Sequence, residues 1–219
     1  MIFATPLDWH SPSLYDRPAS APLKRWPLNL TLKEELARAF ITTQSFQSNP
    51  SGFKLASGAI SPYYVDCRLL MAHPRARQLV ARLAVELLTS LSIQCIGGLE
   101  IGAIALATAI SDYGLLEAPR QEWRTFVVRK QPKDHGLGKL IEGAFQPGDH
   151  ALIVDDVLTS GGSVLKAIAA AREAGMHVNH ALVIVDREEQ DGRARVEAQG
   201  VKLLSLLTIK DLLAVQCDL

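Results

Sequence analysis

The chain has 219 residues, 48% of them hydrophobic, enough for one domain with a sizeable core or one domain and an appendage. Lysine plus arginine and aspartate plus glutamate both number 23, so the formal net charge is zero and lacks the basic excess usual in nucleic-acid-binding proteins. The longest apolar run, Ile101–Ile110, falls well short of the roughly 20 residues of a membrane span, and the three widely spaced cysteines fit a reduced, cytoplasmic setting without a metal knuckle.

Residues 1–30 carry Pro6, Pro12, Pro18, Pro22 and Pro27 with little periodicity and read as a proline-rich surface arm, with Trp9 and Trp26 as anchors. They have no basic region followed by an apolar run, so they are not a signal peptide. A domain is expected from 31 to 219. Its first helix starts at Thr31, because Thr31 and Glu34 have capping-box spacing and Leu32, Leu36, Phe40 and Ile41 follow at helical intervals. Phe53–Arg68 reads as two strand-like pieces separated by turns at Ser57-Gly58 and Ser61-Pro62. Pro74–Leu91 is an amphipathic helix.

From there strands and helices alternate. Strands are expected at Cys95–Leu99, Thr125–Lys130, Ala151–Asp155, Val178–Asp186 and Lys202–Leu207. Helices are expected at Ile101–Tyr113, Gly161–Ala174, Glu188–Gln199 and Thr208–Leu213, with a polar loop at Gln131–Gly143. The alternation of apolar strands with helices predicts a mostly parallel sheet covered on both faces, an α/β fold.

The richest segment is ALIVDDVLTSGGSVLKAI, Ala151–Ile168. An apolar strand leads into Asp155 and Asp156, then Val157, Leu158, Thr159, Ser160, Gly161, Gly162 and Ser163, where a helix begins. In open α/β sheets ligands sit beyond the carboxyl ends of strands. A helix N-terminus offers unpaired N–H groups to phosphate, and the glycines allow a close backbone approach. The loop has no Walker lysine. Its carboxylates suit a ribose diol or a water-held Mg²⁺ ion. Diol, phosphate and metal together point to a phosphoribosyl ligand.

VDDVLTSGGS resembles the PRPP signature of the type I phosphoribosyltransferases. The resemblance implies that family's fold, a central mostly parallel sheet flanked by helices with a small N-terminal hood, here at about 31–70. It also implies that Asp155 and Asp156 hold the ribose hydroxyls and that Thr159–Ser163 hold the 5′-phosphate. Three further segments resemble the orotate branch: FKLASGAISPYYVDCR (Phe53–Arg68) its hood, VVRKQPKDHGLGKLIEG (Val127–Gly143) its lid loop, and DREE (Asp186–Glu189) its base-contacting motif. GGLEIGAIALA (97–107) resembles its pyrophosphate loop, with Ile101 and Gly102 beside PRPP and Glu100 either holding Mg²⁺ through water or fixing the turn. The resemblance therefore implies orotate and PRPP as ligands, Mg²⁺ carried mainly by PRPP with no direct protein ligands, and a homodimer whose lid completes the neighbouring site.

Within the lid, Arg129, Lys130, Lys133 and His135 would meet pyrophosphate, as loop closure brings cations to developing negative charge. Arg187 would face orotate, whose flat anion matches a planar guanidinium. Tyr63 and Tyr64 would lie against the base through a ring face or backbone groups, with Thr159 nearby. The sequence departs from the family pattern at Ala56, where many members have lysine (Lys54 lies two residues earlier), and at Ile101 and Gly102.

Two rivals share the acidic loop. A phosphoribosyltransferase for another base should lack both the K-D-H-G lid and the S-P-Y-Y hood. A PRPP-sensing regulator needs a DNA-binding module, which thirty proline-rich residues cannot build. A fused decarboxylase barrel of about 250 residues has no room after residue 213.

Overall fold

The computed structural model describes residues 30–54, 60–117, 120–131 and 140–217. Nearly all of the proline-rich arm, the Ser57-Gly58 turn, Ala56, and Lys133 and His135 of the lid lie outside them.

Helix α1 (Leu32–Thr42) begins at the expected capping box. The Thr31 hydroxyl accepts the Glu34 amide at 3.3 Å, and the Glu34 carboxylate accepts the Thr31 amide at 2.7 Å. Strands β1 (Phe46–Lys54) and β2 (Ile60–Val65) form an antiparallel hairpin. Two expectations change here. Pairing starts at Phe46, earlier than the sequence suggested, and Ser61-Pro62 lies inside β2 instead of forming a turn. A two-stranded sheet has only edge strands, so a proline without an N–H is tolerated, and the register shifts between Ser48 and Phe53. The short helix α2 (Cys67–Ala72) was not expected; Asp66 caps it by accepting the Leu69 amide at 3.0 Å. Helix α3 spans Pro74–Leu88.

The remaining elements are β3 (Cys95–Leu99), α4 (Gly102–Leu116), β4 (Arg124–Val128), β5 (Ile141–Gly143), β6 (His150–Leu158), α5 (Gly162–Glu173), β7 (His177–Asp186), α6 (Gly192–Glu197), β8 (Lys202–Thr208) and α7 (Ile209–Cys217). Six strands form one sheet in the order β5-β4-β3-β6-β7-β8. All pair in parallel except β5, which returns antiparallel along β4. The expected polar loop therefore ends in a strand. The expected helix at 188–199 shrinks to six residues, because Glu188, Gln190 and Asp191 take positive φ and Gly192 is the first residue able to continue into a helix.

Period-two alternation along the strands builds two cores. Leu152, Val154, Leu182 and Ile184 face α1, α3, α4 and α7. Ala151, Ile153, Ala181 and Val183 face α5 and α6. The sheet is tight where β3 meets β6: a methyl group at Gly98 would collide with the Val154 carbonyl oxygen. We predict that Gly98→Ala lowers stability by about 1–3 kcal/mol through overpacking. An unchanged urea midpoint would show that the two strands separate freely.

Candidate active site

Strand β6 sits in mid-sheet and runs three residues beyond Asp155, still paired with β7 through Leu158↔Asp186. The two acids are therefore inside a strand and not at its end, and strict alternation breaks at them: Val154 and Val157 pack in the same core, and the two carboxylates lie close enough to interact directly. Asp155, 8% exposed, lines the cleft described below. Asp156 lies on the α4 side, where Gly102 leaves room for it: a methyl group there would sit 2.8 Å from the Asp156 carboxylate. Each carboxylate accepts the following amide, Asp156 N–H to Asp155 at 3.0 Å and Val157 N–H to Asp156 at 2.9 Å. Burial, then the charge of Asp156, pushes the Asp155 carboxyl up to about 8.

Beyond Leu158 the chain turns through Thr159, Ser160 and Gly161 into α5. Gly161 has φ of 76°, a left-handed conformation that glycine adopts without steric cost. It caps α5 with no side-chain hydrogen bond, so the first-turn N–H groups stay open to a ligand. Arg195 on α6 steadies the loop from outside by donating to the Ser160 carbonyl at 2.7 Å. A cleft of about 480 Å³ is lined by Asp155, Val157–Val164, Lys166, Tyr64, Val65 and Arg187. Leu158 buries its side chain in the α5 core and Val157 packs against the opposite one, so both offer the cleft mainly backbone. Lys166 was missed from the sequence. Its signal was its place one helical turn after Gly162 and Ser163.

Arg187 follows the end of β7 and is 3% exposed. It donates to the Ser61 hydroxyl at 2.7 Å, the Tyr63 carbonyl at 3.0 Å and the Glu189 carboxylate at 3.1 Å. The hairpin is thus held at the carboxyl end of the sheet. Tyr64 lines the cleft, while the Tyr63 ring stacks on Phe46 and packs against the core.

The pyrophosphate-like loop turns from β3 into α4, with Ile101 68% exposed and a cis peptide between Glu100 and Ile101. Glu100 fixes the neighbouring turn by accepting the Lys130 amide at 2.8 Å. Arg129 pairs with Glu142 at 3.2 Å, and its amide donates to the Leu140 carbonyl, so both ends of the 130–140 loop are anchored. Burial, then Asp156, Asp66 and Asp155, pushes the Cys67 thiol up, which keeps it protonated and unsuited to nucleophilic attack.

Two adjacent acids in a central strand, one of them in a cleft with an open helix N-terminus, form the site of a type I phosphoribosyltransferase, and the phosphoribosyl transferase domain profile matches residues 69–207. Orotate phosphoribosyltransferase of Aquifex aeolicus is 38% identical over 83% of this chain and 97% of its own length. That of Pyrococcus abyssi is 39% identical over 83% and 95%. The solved Mycobacterium tuberculosis orotate phosphoribosyltransferase in complex with PRPP is 34% identical, with a TM-score of 0.67 over 83% of this chain and 99% of that one. The chain belongs to the orotate phosphoribosyltransferase family.

The raised Asp155 carboxyl gives a signed expectation. A carboxyl raised on folding favours the fold below its unfolded value, near 3.8, and loses that contribution as pH climbs through about 8. In ligand-free protein, Asp155→Asn should flatten the decline in thermal midpoint between pH 5 and 9 and exceed the wild type above pH 8. Parallel curves for the two proteins would refute it.

Proposed function

We propose that this enzyme transfers the phosphoribosyl group of PRPP to orotate, giving orotidine 5′-phosphate and pyrophosphate in de novo pyrimidine biosynthesis in the cytoplasm. The observation that carries the reading is one cleft containing a buried carboxylate, an open helix N-terminus and a buried guanidinium. Asp155 and Asp156 take the ribose hydroxyls. The amides and hydroxyls of Thr159–Ser163 take the 5′-phosphate, and Arg187 takes the orotate carboxylate, with Tyr64 beside the ring. The ribosyl group passes as an oxocarbenium-like species to the orotate ring nitrogen with inversion. The protein contributes positioning and charge stabilisation and needs no nucleophile of its own.

Asp155, Asp156 and Glu100 supply hard oxygen donors of the kind Mg²⁺ prefers, and one Glu100 oxygen is already engaged by the Lys130 amide. The ion is therefore placed mainly on PRPP, with these acids reached through water. When bound, it neutralises charge on the departing pyrophosphate.

Lys130, Lys133 and His135, with Arg129 at the root, stabilise that pyrophosphate from the lid, one subunit's lid completing its partner's site. An exposed apolar face on α4 supports the homodimer: Ile101, Ile104 and Leu115 share one side of the helix and are 68%, 46% and 47% exposed.

Loss of orotate absorbance on adding PRPP and Mg²⁺ is the direct assay. Turnover of a purine base with none of orotate would overturn the reading. Lys133→Ala should cut turnover about 10²–10³-fold, as loss of a single electrostatic donor does elsewhere, while the KM for orotate changes little. An unchanged kcat would remove the lid lysine from the mechanism.

A further inference from the structure

The polar groups around Arg187 form a closed set. Nε donates to Glu189 Oε2 at 3.1 Å and Nη2 to Glu189 Oε1 at 3.3 Å, a two-point ion pair. Nη2 also donates to Ser61 Oγ at 2.7 Å and to the Tyr63 carbonyl at 3.0 Å. The Ser61 hydroxyl spends its one proton on Glu189 Oε1 at 3.1 Å, and it accepts from Arg187 and from the Tyr63 amide. Ser61 and Arg187 are each 3% exposed, and 126 residues separate them. Among the described residues Nη1 donates no hydrogen bond. Arg187 lines the cleft, so Nη1 is the nitrogen left to a ligand.

Burial of a guanidinium demands a counter-charge and filled donors. Glu189 provides the first and, with Ser61 and the Tyr63 carbonyl, most of the second. Free rotation of the arginine about its long stem would otherwise be lost at each binding event, which weakens recognition of a planar anion.

We propose that Ser61 and Glu189 are positioning residues for the acceptor base: they lock the Arg187 guanidinium so that Nη1 meets the base's carboxylate, and they make that orientation depend on the seating of the β1–β2 hairpin. This rests on the reading of Arg187 as the base-contacting cation. Neither residue lines the cleft formed by Asp155 and Thr159–Ser163, so their effect is confined to the base.

The test is steady-state kinetics on single and double variants. Ser61→Ala and Glu189→Ala should each raise the KM for orotate about tenfold, the equivalent of one charge-assisted hydrogen bond. The KM for PRPP and kcat should stay within about twofold. Glu189→Gln keeps one acceptor but loses the counter-charge and should recover only part of the loss. Added to Arg187→Ala, neither change should raise the orotate KM further. Parallel rises in both KM values, or effects that add to that of Arg187→Ala, would overturn the proposal. If Arg187→Ala raises the orotate KM and the other two do not, the positioning role alone falls. If Arg187→Ala leaves it unchanged, the assignment of Arg187 to the base falls, and the positioning role with it.

Discussion

The whole site hangs on one constraint, the pairing of strand β6 with β7 past its two acids. Because the strand stays paired with β7 past the acid pair, the backbone of Asp155 and Asp156 is fixed, and the two carboxylates are held close enough for each charge to act on the other. One carboxylate joins the phosphate loop at α5, and the other packs over Gly102 at the start of α4.

Much of this was legible in the sequence because it is local. The Thr31–Glu34 capping box, the apolar strands and the hydroxyl–glycine loop all act over a few residues, and the structure forms each where the pattern put it. Element boundaries moved where pairing with a neighbour decided the outcome. β6 was extended by β7, β5 was drawn out of a polar loop by β4, and Pro62 was absorbed into a hairpin that has only edges. Helix α6 is shorter than its composition suggests because three residues before it adopt positive φ, which composition does not reveal.

The site was legible in its parts but not in its wiring. Arg187 could be picked from DREE, yet nothing within four residues announces its bond to Ser61. Glu100 stood with two roles open, and its contact with the Lys130 amide favours fixing the turn. Tyr63 and Tyr64 are adjacent in a strand and so were bound to diverge. One ring stacks on Phe46 against the core, and the other borders the cleft. Lys166 escaped notice because an exposed lysine on a helix is ordinarily a solvated one.

The link between Ser61 and Arg187 also orders events during synthesis. The β1–β2 hairpin leaves the ribosome long before β7, so for 126 residues of elongation its Ser61 hydroxyl has no guanidinium to meet. A pair of edge strands is marginal alone in water, and contacts this distant in sequence form late. The phosphate-binding loop waits about as long, since its strand is held by β7 as far as Asp186 and its turn by Arg195. A chain that stops short of Arg195 is thus expected to lack both its grip on the sugar phosphate and its discrimination among bases.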